Sequence, residues 1–113
     1  MSQYMLLLYT TEEEELADRE AEWPIWLELR RSLEEAGLLA ATGRLHPTTT
    51  ATTVTAISGE TVLTDGPFAI TKEVLVGYYL IEAENLDAAV ELAARIPAAR
   101  MGGAVEVRPL VER

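Results

Sequence analysis

Glu73-Val74-Leu75-Val76-Gly77-Tyr78-Tyr79-Leu80-Ile81-Glu82-Ala83 is the stretch that decides the fold of this 113-residue chain. Val74 to Ile81 is a short apolar run rich in branched and aromatic side chains, which reads as a buried strand. Side chains alternate along a strand, so Tyr78 and Tyr79 point to opposite faces. Tyr4-Met5-Leu6-Leu7-Leu8-Tyr9 is a second run of the same kind and reads as a central strand. Both runs are apolar on both faces, so the sheet they form has to be covered on both sides.

Downstream of the deciding stretch, Asn85 is a good N-cap. Leu86, Ala89, Val90 and Ala93 form the buried face of a helix that Pro97 ends. Gly102-Gly103 reads as a turn, since no helix follows to make it a phosphate loop. Ala104 to Leu110 alternates, with Val105 and Val107 on one face and Glu106 and Arg108 on the other, as in a half-buried strand.

Upstream, Thr52 to Ile57, Ser58-Gly59 and Glu60 to Thr64 read as a β-hairpin. Thr48 to Thr53 is threonine-rich and suits a strand edge more than a helix. Leu38 to Gly43 reads as a strand. Trp26, Leu29, Leu33 and Ala36 recur at helical spacing, widened by Trp23 and Leu27, with Gly37 as a C-terminal cap. Thr11 and Glu14 have capping-box spacing, so a helix begins near Glu12. Pro24 predicts a kink in it, or a break that leaves Pro24 in the first turn of a second helix.

The order is strand, helix, strand, hairpin, strand, helix, strand. It fits an α+β, β-α-β-β-α-β plan with an inserted β-hairpin, in one domain spanning residues 1–113. Helices on one face of an antiparallel four-stranded sheet leave the other face open, which predicts a homodimer.

Composition narrows the partners. A net charge of −10 argues against nucleic acid, and no stretch approaches a membrane span. No cysteine is present, which removes thiolate metal sites and thiol nucleophiles, and the single histidine has no metal-binding company. No metal or cofactor is expected. Without cysteine or a visible signal peptide, the expected location is the cytoplasm.

The loop before the deciding strand carries the functional lead. In Thr64-Asp65-Gly66-Pro67-Phe68, an Asp that opens a turn meets a proline where its N–H partner belongs. Pro67 also pushes Gly66 toward an extended conformation. Asp65 is therefore expected to point away from its own loop, toward the Phe68 N–H, another segment or a ligand.

Asp65-Gly66-Pro67-Phe68, then Thr71-Lys72-Glu73 and Gly77-Tyr78-Tyr79-Leu80-Ile81, resembles the YCII-related, or DGPF-domain, family. Ala36-Gly37, Gly43, Leu45 and Pro47, Ala51-Thr52-Thr53-Val54 and Glu106-Val107-Arg108-Pro109 extend the resemblance over nearly the whole chain. It implies a ferredoxin-like fold assembled as a dimeric α/β barrel. Relatives are linked to dehalogenation and lactone-type chemistry, with a histidine and an aspartate as the acid–base pair. The family's association with sigma factors carries little weight for a chain this short and acidic. Two departures remove charge near Asp65: Ile70 stands where the family commonly has Glu, and Thr55 where it commonly has a basic residue.

Asp65 and His46 are the resulting catalytic candidates, because an imidazole exchanges protons near neutral pH and a carboxylate can orient it. Arg44 is placed to anchor a carboxylate ligand. Phe68, Lys72, Tyr78 and Tyr79 are the further ligand-binding candidates. Trp23 and Trp26 are expected in core and dimer packing, with π-stacking on a ligand as the alternative. The leading reading is acid–base chemistry of lyase or isomerase type on a small organic molecule. The alternatives are a non-catalytic module binding a small ligand or a protein, and a dimerisation module without a pocket.

Overall fold

The two apolar runs are central neighbours. In the computed structural model, which describes residues 1–11, 23–100 and 102–112, β1 (Ser2–Thr11) and β5 (Glu73–Ala83) pair antiparallel in the middle of a four-stranded sheet. β2 (Leu39–Arg44) lies outside β5 and β6 (Ala104–Pro109) outside β1, giving the order β2-β5-β1-β6 with every neighbour antiparallel. With the helices α1 (Trp23–Glu35), α2 (Leu86–Ala94) and the short α3 (Pro97–Arg100), this is the expected ferredoxin-like α+β plan. The inserted hairpin, β3 (Thr52–Ile57) and β4 (Glu60–Asp65), forms a separate two-stranded sheet. Ser58 and Gly59 turn it with φ of 51° and 82°, the left-handed pair that a tight hairpin needs.

Alternation sets the two faces. Tyr4, Leu6, Leu8 and Thr10 are buried on one side of β1, opposite Ile81 and Tyr79 of β5 and Val107 and Val105 of β6. Leu29 and Leu33 of α1, Ala89 and Ala93 of α2, and Ile96 complete that core. Met5, Leu7 and Tyr9 line the other face, opposite Leu80, Tyr78 and Leu75, and are only half-buried.

The helix ends follow the sequence closely. Gly37, at φ 72°, closes α1: Leu38 N–H reaches the Leu33 carbonyl at 3.0 Å and Gly37 N–H the Glu34 carbonyl at 3.0 Å. This is a Schellman cap. Asn85 caps α2, its Oδ1 accepting from Ala88 N–H at 2.9 Å. Pro24 sits in the first turn of α1, where its missing N–H costs nothing. Thr11 ends β1, and the expected helix start near Glu12, with Glu14 of the capping box, lies outside the described residues.

Several local expectations are corrected. Thr48–Thr50 is a 3-10 turn rather than a strand edge: the Thr50 hydroxyl and N–H both donate to the Pro47 carbonyl, at 2.7 and 2.9 Å. Such local bonding is what threonine offers the backbone in place of a ladder. Leu86 and Val90 are exposed, and α2 meets the sheet through its small alanines instead. Ala36 is also exposed, because α1 has ended before it. Gly66 adopts φ 96°, outside the extended range available to other residues. The hairpin holds it there: Gly66 N–H donates to the Ala51 carbonyl and Thr53 Oγ1 to the Gly66 carbonyl, both at 2.7 Å.

No helix among the described residues is long and apolar enough to cross a membrane.

Candidate functional site

The site is built where β2, β5 and α1 meet. Leu8 pairs with Gly77 and Tyr9 with Leu75, so Val76 is an extra residue in β5. Such a bulge bends the strand and re-aims side chains. The Val76 carbonyl accepts from Leu45 N–H at 2.9 Å, which fixes the chain just past the end of β2. His46 follows, and Pro47 starts the 3-10 turn. Gly43 and Gly77 let the backbones approach: a Cβ on Gly77 would lie 2.9 Å from the Gly43 carbonyl oxygen.

These constraints leave a cavity of about 580 Å³ between the sheet and the first half of α1. Leu8, Val76 and Thr42 form part of the sheet side, and Trp23, Trp26, Leu27 and Arg30 the helix side. Arg44 at the end of β2, and Leu45, His46 and Pro47 beyond it, form the rim. Tyr79 lies in its inner wall, 5% exposed. Burial raises the Tyr79 pKa above the usual 10.0, opposed by the Thr42 hydroxyl and the Arg30 charge beside it. The phenol is thus a neutral hydrogen-bonding group at physiological pH.

His46 also borders a second concavity of about 600 Å³, lined by Tyr9, Thr48, Pro67, Ala69, Thr71 and Glu73 among others. It therefore stands at the junction between the helix-side cavity and the segment that follows Asp65.

The sequence candidates divide cleanly. Arg44, His46 and Tyr79 come together on the first cavity. Tyr78 does not: it lies on the open face, its ring across Gly43, where a Cβ would meet Tyr78 Cε1 at 2.8 Å. Lys72 and Phe68 are exposed in the loop and line neither cavity. Asp65 is exposed at the end of β4, opposite Thr52, and also lines neither. Among the described residues, no hydrogen bond or ion pair joins Asp65 to His46. Trp26 packs against the core as expected and also walls the cavity, while Trp23, half exposed, lies on the cavity wall.

Arg30 and Thr42 escaped the sequence reading. Arg30 was signalled by spacing, since Trp23, Trp26, Leu27 and Arg30 recur at three- and four-residue intervals on one helix face. Thr42 carried no signal in the sequence; only the ladder, which pairs it with Tyr79, brings it to the site.

No group of three or more acidic or histidine side chains among the described residues is placed to hold a metal ion. Residues 2–113 match the YCII-related domain. An uncharacterized protein of Rhizobium meliloti (strain 1021) is 47% identical over 83 residues, covering 73% of this chain and 67% of that one.

Proposed function

This chain belongs to the YCII-related family, and on that premise we propose that it is a homodimer that binds a small organic molecule in the cavity beneath α1. His46 there moves a proton on the bound molecule, in a reaction of lyase or isomerase type. The observation that carries the reading is the convergence of His46, Arg44 and Tyr79 on one 580 Å³ cavity. A neutral imidazole takes a proton from a carbon acid and returns it elsewhere on the same molecule or to a leaving group. Arg44 and Tyr79 bind and orient.

Asp65 is the proposed partner that orients the imidazole. It stands outside the cavity of its own chain, so this pairing asks for the loop of a second copy or a movement of its own. The same placement favours a second reading, a module that binds the molecule and performs no chemistry.

Proton exchange separates the two. A panel of small keto acids and unsaturated lactones is incubated with the protein in D2O, and deuterium uptake at carbon is followed by NMR. Catalysis predicts uptake faster than in buffer, lost in His46→Ala and reduced in Asp65→Ala. If the panel binds but exchanges at the buffer rate, the binding module stands. If Asp65→Ala exchanges like the wild type, the Asp65–His46 pair is wrong.

A further inference from the structure

The chain carries 19 acidic residues against nine Lys and Arg, yet the cavity has the opposite character. Its charged lining among the described residues is Arg30 and Arg44, with no carboxylate. Arg30 uses Nε on Glu34, at 2.8 Å, and its terminal nitrogens have no partner among the described residues. Arg44 has neither an ion pair nor a side-chain hydrogen bond among the described residues. Apart from Thr10, Thr42, His46 and the Tyr79 hydroxyl, the remaining wall is apolar and aromatic, and both tryptophans of the chain belong to it.

We propose that the cavity selects an organic acid: a carboxylate held by Arg44 and Arg30, joined to a flat apolar body that lies against Trp23 and Trp26. This deepens the reading above and rests on it. A guanidinium offers a carboxylate a fork of donors, and its charge excludes cations. The cavity volume, within the ordinary range for small-molecule sites, has room for a ring beyond the acid group. A bare anion would leave the aromatic wall unfilled, and a neutral isostere would leave the arginines without a counter-charge. In so acidic a chain, a cavity lined by arginines also draws anions in against the overall field.

Because Trp23 and Trp26 are the only tryptophans, fluorescence excited at 295 nm reports directly on this cavity. The probes are 3-phenylpropanoate, the neutral 3-phenylpropanamide, the cationic 3-phenylpropylamine and inorganic phosphate. The acid is expected to bind at least about tenfold tighter than the amide, and the amine and phosphate more weakly still. Arg44→Gln is expected to remove most of the acid-over-amide preference while leaving amide affinity nearly unchanged. Arg44 is exposed at a strand end, so the variant is expected to fold, and its circular dichroism and melting temperature confirm that before titration. An amide that binds as tightly as the acid overturns the proposed ligand class but leaves the cavity as a binding site. Phosphate that competes as well as the acid shows a bare anion site and also overturns it. If none of the four probes changes the emission, the cavity reading itself falls with it.

Discussion

The rings of Trp26 and Tyr79 lie with centroids 6.5 Å apart and planes inclined by 27°. One comes from α1 and the other from β5, so the contact pins helix to sheet at the inner end of the cavity. An aromatic pair of this geometry is worth about 0.5–1.5 kcal/mol beyond the area it buries. It also keeps the Tyr79 hydroxyl out of water, beside Thr42 and Arg30.

That burial makes stability depend on alkaline pH. Burial raises the folded-state pKa of Tyr79 above 10.0, so the folded chain keeps this proton after the unfolded chain has lost it. Its contribution is complete below about pH 10 and is lost as the pH rises through the folded value. Tyr79→Phe removes this dependence. Urea unfolding between about pH 9 and 11 should show the wild type losing stability more steeply than the variant, by up to about 1.4 kcal/mol per pH unit. Parallel pH curves for the two proteins would contradict the burial argument.

Gly103 is predicted to be the least replaceable glycine. A Cβ there would sit 2.3 Å from the Tyr9 carbonyl oxygen and 2.8 Å from that of Ala98. Both are backbone atoms, so neither can swing aside, and Tyr9 pairs with Ala104 at the start of β6. Gly103→Ala should cost about 3 kcal/mol, the upper end of overpacking penalties. In Gly43→Ala the crowded atoms are the far end of the Tyr78 ring, which can move, so the loss should be smaller. Urea midpoints for the two variants test this order; equal losses would refute it.

The cap of α2 gives a smaller and local effect. Asn85→Ala removes the acceptor of the Ala88 N–H and should cost about 1 kcal/mol. Amide hydrogen exchange should accelerate in Leu86–Ala94 and remain unchanged in β1. Uniform acceleration over both elements would mean that α2 does not open on its own.

Legibility in the sequence tracked the range of the interactions. Runs such as Tyr4–Tyr9 and Val74–Ile81, the Ser58-Gly59 turn, Gly37 and Asn85 act on residues a few positions away, and each was readable. The 3-10 turn at Thr48–Thr50 was not, because threonine serves an edge strand and a local hydroxyl-to-carbonyl bond equally well. His46 and Arg44 were legible as titratable or charged groups at a strand end, and the fold puts both on the cavity rim. The position of Asp65 was not, because the hairpin forms its own sheet and carries that residue away from the cavity. A pattern can place Asp65 at the end of a strand, but it cannot say toward which sheet that strand leans.

The hairpin and the open face together lead to the last prediction, concerning a second copy of the chain. The radius of gyration is 15.8 Å, against about 13 Å for a compact chain of this length. Along the hairpin and the loop after it, Val54, Leu63, Phe68 and Ile70 are exposed, the last two at 83% and 94%. On the main sheet, Met5, Leu7, Tyr9, Tyr78 and Leu80 form an apolar face that is only half-buried among the described residues. Exposed apolar surface on this scale marks an interaction site. The prediction is a twofold copy that covers both regions, since in a twofold dimer the same patch serves each partner. Leu7→Glu places a charge in the middle of the open face, where a single chain tolerates it and a buried interface does not. Light scattering coupled to size exclusion should give the wild type twice the 12.4 kDa chain mass and the variant the chain mass, with circular dichroism unchanged. A wild type that elutes at 12.4 kDa would remove the homodimer, and with it the proposal that a partner's Asp65 orients His46.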